Sequence, residues 1–194
     1  MLLYIVKFSR PDIANSVREL STVMDSATME HLKCLWQLMK YVLDTKEKCL
    51  MMDLTKNSDS RKDETMNGWQ MKAFCNSDYA GDKDTRISMT GFILCLNGAA
   101  ISWRSCSQKN VTLSSTEAGY VAVSEVCAAI MFMKQVTEFL QMKVNLPILV
   151  NMDNVGAIYL ASNATSGQRT RHIDARYHFV RSYVGEGTVK MVLV

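Results

Sequence analysis

Residues 69–107 read as three strands in succession, and residues 114–142 read as one long apolar helix. Few folds accommodate that order. In the first strand, 69–76, Trp69, Met71, Ala73 and Cys75 fall on alternate positions, the period of a strand with one buried face. The second, "TGFILCLNG", and the third, "AAISWRSCS", meet at Asn97-Gly98, the dipeptide that closes a tight hairpin. The helix is apolar on nearly every side over 126–133, which places it at the centre of the fold. "LPILVNM" then reads as a buried strand, "NVGAIYLAS" as a short helix, "RTRHIDARYHFVRSYV" as a basic helix and "TVKMVLV" as a last strand. Three strands, helix, strand, two helices and strand make an α/β fold: a mixed five-stranded sheet with flanking helices.

A small helical segment precedes it. "SRPDIANSVRELSTVM" puts Ile13, Val17, Leu20 and Met24 at helical spacing, with Ser9 as cap and Pro11 in the first turn. A second helix carries Leu32, Leu35, Trp36, Met39, Val42 and Leu43, and "CLMMDL" follows as a short strand. "KNSDSRKDETMNG" is polar throughout and without period, so the expected organisation is a helical segment over 1–55, a linker over 56–68 and an α/β domain over 69–194. The six cysteines include no CxxC pair and read as buried free thiols of a reducing compartment. Only six apolar residues precede Lys7, too few for a signal peptide or a membrane span. These features favour a cytoplasmic or nuclear protein that is not secreted and has no membrane partner.

Acidic residues mark three ends. "FCNSDYAGDKDT" closes the first strand with Asn76, Ser77, Asp78, Gly81 and Asp82, a cluster that serves equally as a turn or as one wall of a metal site. Ser114-x-x-Glu117 is a capping box for the long helix, and Asp153, between a strand and a helix, has the position of an N-cap. Each acid alone is explained by capping. As an ordered set they can converge at one end of a sheet, where carboxylates repel unless divalent cations lie between them. Such a site suits phosphodiester hydrolysis by two metals.

"RPDIA", "SDYAGDKDTR", "TGFILCLNGAAISWRSCSQKNVTLSSTEAGYVAVSE", "MDNVGAI" and "TRHIDARYHFVR" resemble, in order and over nearly the whole chain, the end of the Pol polyprotein of copia-type LTR retrotransposons. The resemblance implies a ribonuclease H-like domain, preceded by the last helices of reverse transcriptase and its connection. It also implies Mg²⁺-dependent cleavage of the RNA strand of RNA–DNA hybrids, with the remainder of Pol as partner and a virus-like particle in the cytoplasm as setting. Glu117 and Asp153 match the family's second and third catalytic carboxylates and are the implied metal ligands. The family's first, the leading Asp of a pattern like S-D-A-D-W-A-G-D, falls on Asn76, and Asp78 matches the second Asp of that pattern.

Asp78 stands two residues along, about 6–7 Å away, as a possible substitute. The fourth carboxylate belongs to a helix after the final strand, beyond Val194, and Gly119 replaces the second Glu of the family's Glu-Ala-Glu. The chain therefore reads as a fragment open at both ends, with impaired catalysis in a surviving fold.

Arg104, Lys109, Arg171 and Arg176 are the expected nucleic-acid contacts, since a hybrid is bound mainly through its phosphates. The mild net charge of +3 permits that partner without requiring it. His172 and His178 have no companion at metal-ligand spacing. Two functions compete: a hybrid ribonuclease, and a non-catalytic remnant that binds nucleic acid or a reverse-transcriptase partner. An integrase-type nuclease shares the sheet but is disfavoured, because Glu117 precedes Asp153 instead of closing the set.

Overall fold

The computed structural model describes residues 1–52, 68–82, 85–163 and 174–194, the last with side chains from residue 178. It divides into two compact units, Met1–Met51 and Met52–Val194. The stretch read as a linker over 56–68 lies outside the described residues except for Gly68.

The smaller unit holds α1 (Leu2–Phe8), α2 (Ala14–Thr22) and α3 (Met29–Asp44), with single 3-10 turns at Pro11–Ile13 and Met24–Ser26. α1 was not among the sequence expectations; its seven residues are too short to show a helical period. Residues 49–52, expected to open a strand, are irregular. The core of this unit is Ile13, Val17 and Leu38. Arg10 fastens its two ends. The nearly buried guanidinium donates to both oxygens of Asp12, at 2.9 and 2.7 Å, and to Thr45 Oγ1 at 2.8 Å. Tyr41 donates its hydroxyl to the same carboxylate at 3.1 Å. His31 completes a cap: its N–H donates to Thr28 Oγ1, and its Nδ1 accepts from the Thr28 N–H.

The larger unit is a five-stranded sheet in the order β3-β2-β1-β4-β5, with β1 (Met71–Asp78), β2 (Met89–Leu96), β3 (Ala99–Ser107), β4 (Ile148–Met152) and β5 (Val189–Leu193). β1, β2 and β3 are antiparallel neighbours, whereas β1, β4 and β5 run parallel. The Asn97-Gly98 hairpin forms as expected, with both residues at positive φ, 46° and 87°. α4 (Ser115–Phe139), α5 (Val155–Ser162) and α6 (Asp174–Gly185) share one core with Met71, Ala73 and Cys75 of β1. This is the mixed α/β sheet with flanking helices read from the sequence.

Two details differ. The burial of α4 is most continuous over 118–124, before the apolar 126–133 stretch, and Phe132 is 64% exposed. The cysteines are all free, but only Cys75 and Cys127 are buried; Cys34 and Cys49 are exposed.

The alternate face of the sheet carries Lys72, Phe74, Asn76 and Asp78 of β1. Strand register aligns Trp103, Ile93, Phe74, Asn151 and Val192 in one row across all five strands. Phe74 and Ile93 in that row are exposed.

Candidate active site

Because β1 and β4 are parallel, their C-terminal ends lie side by side. Phe74 pairs with Asn151, and continuing that register by two residues sets Asn76 level with Asp153. Hydrogen bonds tie the start of α4 to this same end. The Ser88 hydroxyl accepts from the Ala80 N–H, just past β1, at 3.0 Å and bonds Thr112 Oγ1, just before α4, at 2.7 Å. On the other side, Asn154 Nδ2 donates to the Ser115 carbonyl at 3.0 Å. Gln108, buried between them, donates to Thr90 Oγ1 and to the Ala118 carbonyl. The ends of β1 and β4 and the first turn of α4 therefore meet at one edge.

Glu117 is half-buried in that first turn. Its N–H donates to Ser114 Oγ at 3.1 Å, as a capping box requires. Its carboxylate, however, accepts from the Leu113 N–H at 2.8 Å, one residue before the cap. Asp153 is exposed between β4 and α5. The N-cap role expected of it belongs to Asn154, whose Oδ1 accepts from the Ala157 N–H at 2.9 Å. An Asp one position before the cap has no helix N–H to satisfy, so the capping explanation of Asp153 falls away.

Asn76 is exposed, and its Oδ1 accepts from the neighbouring Ser77 N–H. Asp78 is exposed at the end of β1, and its carboxylate folds over Gly81, where an added Cβ would strike it. The polar cluster that follows is a turn: Asp82 Oδ1 accepts from the Thr85 N–H at 2.7 Å, and Asp82 N–H donates to the Ile87 carbonyl at 3.2 Å. Cys75, read from the sequence as a buried thiol, also feels the charge at this edge. Burial, and secondarily the Asp153 carboxylate, push its thiol up from 9.0 to about 12. Cys127 is pushed to about 12 as well, by burial and by Cys75. An alternating pattern marks Cys75 as inward, but nothing in the sequence pairs it with Asp153.

Hard divalent cations take several oxygen ligands, and a shared site needs carboxylate charge. Here the β1 position level with Asp153 is a neutral amide, and its neighbour is a protonated thiol. Among the described residues no three His, Cys, Asp or Glu side chains are grouped to hold a metal. The described residues at this edge do not fit a two-metal centre.

Of the basic residues expected to meet nucleic acid, Arg104 is exposed on β3 and pairs at 3.7 Å with Glu125 of α4. Lys109 is exposed before α4. Arg171 lies outside the described residues, as does the side chain of Arg176.

The chain is 34% identical over 192 residues to the retrovirus-related Pol polyprotein from transposon RE1 of Arabidopsis thaliana, an alignment that covers 99% of this chain. It is 33% identical over 193 residues to the corresponding polyprotein from transposon TNT 1-94 of Nicotiana tabacum. Over nearly its whole length the chain is homologous to transposon Pol polyproteins. It spans 12% of the RE1 polyprotein and 14% of the TNT 1-94 polyprotein. Among solved structures, it is similar to an RNase H1 isolated from compost, LC11, with a TM-score of 0.48 and 11% identity over 64% of this chain and 84% of that one. No protein-family model matches the chain.

Proposed function

We propose that the larger unit of this Pol homologue is a copia-type ribonuclease H-like domain that retains nucleic-acid binding but has lost most of its hydrolytic power. The observation that carries the reading is the amide at Asn76, two residues past the Phe74–Asn151 pair that joins β1 to β4, at the edge where α4 begins. In the family a carboxylate stands there. Glu117 and Asp153 keep two negative charges at that edge, which alone cannot neutralise and orient a pair of hard cations. Binding of an RNA–DNA hybrid asks less of the protein, namely cationic side chains that track phosphates. Arg104 and Lys109, with Arg171 and Arg176, are the residues proposed for that contact. The remainder of a Pol polyprotein is the proposed partner, in the cytoplasm or nucleus.

The test is a cleavage time course on an RNA–DNA hybrid with Mg²⁺, run beside a binding titration at two salt concentrations. The expected result is salt-sensitive binding with hydrolysis at background. Robust hydrolysis by the unaltered chain, abolished by Glu117→Gln, would overturn the reading of impairment. Failure to bind at low salt would overturn the reading as a hybrid-binding domain.

A further inference from the structure

α3 carries more apolar surface than its own unit covers. Leu38 and Val42 pack into the small core with Ile13, Val17 and Leu20. A second stripe runs beside them: Met29, Leu32, Trp36, Met39 and Leu43, at successive spacings of 3, 4, 3 and 4 residues. At about 100° per residue these five fall on one side of the helix, adjoining the core face but turned away from α2. Four of the five are exposed, at 71% for Met29, 41% for Leu32, 63% for Trp36 and 65% for Leu43. Along the outer margin of the stripe stand Lys33 and Lys40, seven residues apart and both exposed. Among the described residues, neither has a carboxylate partner.

We propose that this stripe is a docking surface for an amphipathic helix whose apolar seam repeats at 3-4 spacing and whose flank presents carboxylates to Lys33 and Lys40. The spacing selects the secondary structure of the partner. A 3-4 row interlocks with the same row on another helix, knob into hole, and its period does not match that of a strand. From Met29 to Leu43 the row runs 14 steps along the helix, and at about 1.5 Å each that is about 21 Å, room for two heptads. The lysines select the charge. Positions seven apart on the margin of a seam lie opposite positions seven apart on a partner, so two acids at that interval meet both cations at once.

A second copy of α3 fits poorly by the same rules. Antiparallel, it would set Lys33 and Lys40 against their own counterparts. Parallel, it would oppose them with Thr28 and Leu35, which bring no charge.

The experiment uses the full chain and two synthetic 21-residue helical peptides. Both carry the same leucine seam; one has Glu along its flanks and the other has Lys. Binding is read by calorimetry and by the shift of Trp36 emission, with Trp36→Phe as the blank. The Glu peptide is expected to bind at least tenfold more tightly than the Lys peptide. Lys33→Glu with Lys40→Glu should reverse that order. Leu32→Ser with Leu43→Ser should abolish binding while the melting curve stays in place, because both side chains are exposed. Equal affinity for the two peptides, or none for either, would overturn the proposal. So would dimerisation of the chain that the leucine changes remove, or a Trp36 response to RNA–DNA hybrid but to neither peptide.

Discussion

The side-chain amide of Asn154 donates to the main-chain carbonyl of Ser115, clamping the end of β4 to the first turn of α4 across 3.0 Å. The same amide group, through Oδ1, caps α5. One side chain thus holds two helix starts beside Asp153 and Glu117.

Replacing Asn154 should expose both roles. Asn154→Ala is expected to lower stability by about 1–2 kcal/mol, losing a cap and a tertiary hydrogen bond together. Asn154→Asp keeps the cap acceptor and loses the donor, so it should cost less. Urea titrations of the two variants beside the parent measure the difference; no loss in Asn154→Asp would mean the bond to Ser115 contributes nothing, and equal losses would mean the cap on α5 contributes nothing.

Divalent binding should follow the charge at position 76. The parent is expected to show no measurable Mg²⁺ uptake by calorimetry at millimolar concentration, and Asn76→Asp to show weak uptake. Hydrolysis should stay near background in both, because groups that serve one site act as a unit and a single restored ligand recovers little. A cleavage rate that rises a hundredfold or more in Asn76→Asp would contradict this.

Acid should weaken the smaller unit through Asp12. The guanidinium of Arg10, bonded to the Asp12 carboxylate, holds its pKa below the ordinary value of 3.8. A depressed carboxylate stabilises the folded state above its unfolded pKa, and that contribution is lost as pH falls through the folded value. Melting of the parent, followed by circular dichroism, should therefore drop on acidification below about pH 4. Asp12→Asn should begin less stable at neutral pH and show a shallower acid limb.

Alkali should act through the two buried thiols, with the opposite sign. Cys75 and Cys127 stay protonated in the fold up to about pH 12, while the unfolded thiols ionise from 9.0. The stability they support is complete below pH 9.0 and declines as pH rises through the interval to about 12. Native-state alkylation at pH 8 should accordingly label exposed Cys34 and Cys49 quickly and spare Cys75 and Cys127 until the chain unfolds. Mass spectrometry of the labelled peptides decides it.

Alternation and turn chemistry made the larger unit legible. β3 occupies the residues 99–107 that the sequence marked, and the Asn97-Gly98 turn fixes its pairing with β2. Where a signal depends on tertiary contact it was not legible. Both Asp153 and Asn154 are good caps by composition, and only the path of the chain out of β4 decides that Asn154 takes the role. α1 is too short for a period to show. For the candidate site, the sequence marked the acids, but their alignment at one edge depends on the parallel pairing of β1 with β4, which no local pattern encodes.

Gly119 makes room for a close helix crossing. A Cβ at that position would sit 3.2 Å from the Ala157 Cβ and 3.2 Å from Asn154 Nδ2, so a side chain there requires α4 and the start of α5 to give by a few tenths of an ångström. A Glu there pushes toward Asn154 and Ala157 and loosens the clamp on Ser115. A larger residue at this place is thus accommodated only with coordinated change on two helices. Gly119→Glu should melt earlier than the parent, and a compensating Asn154→Gly should recover little, because it removes the clamp itself.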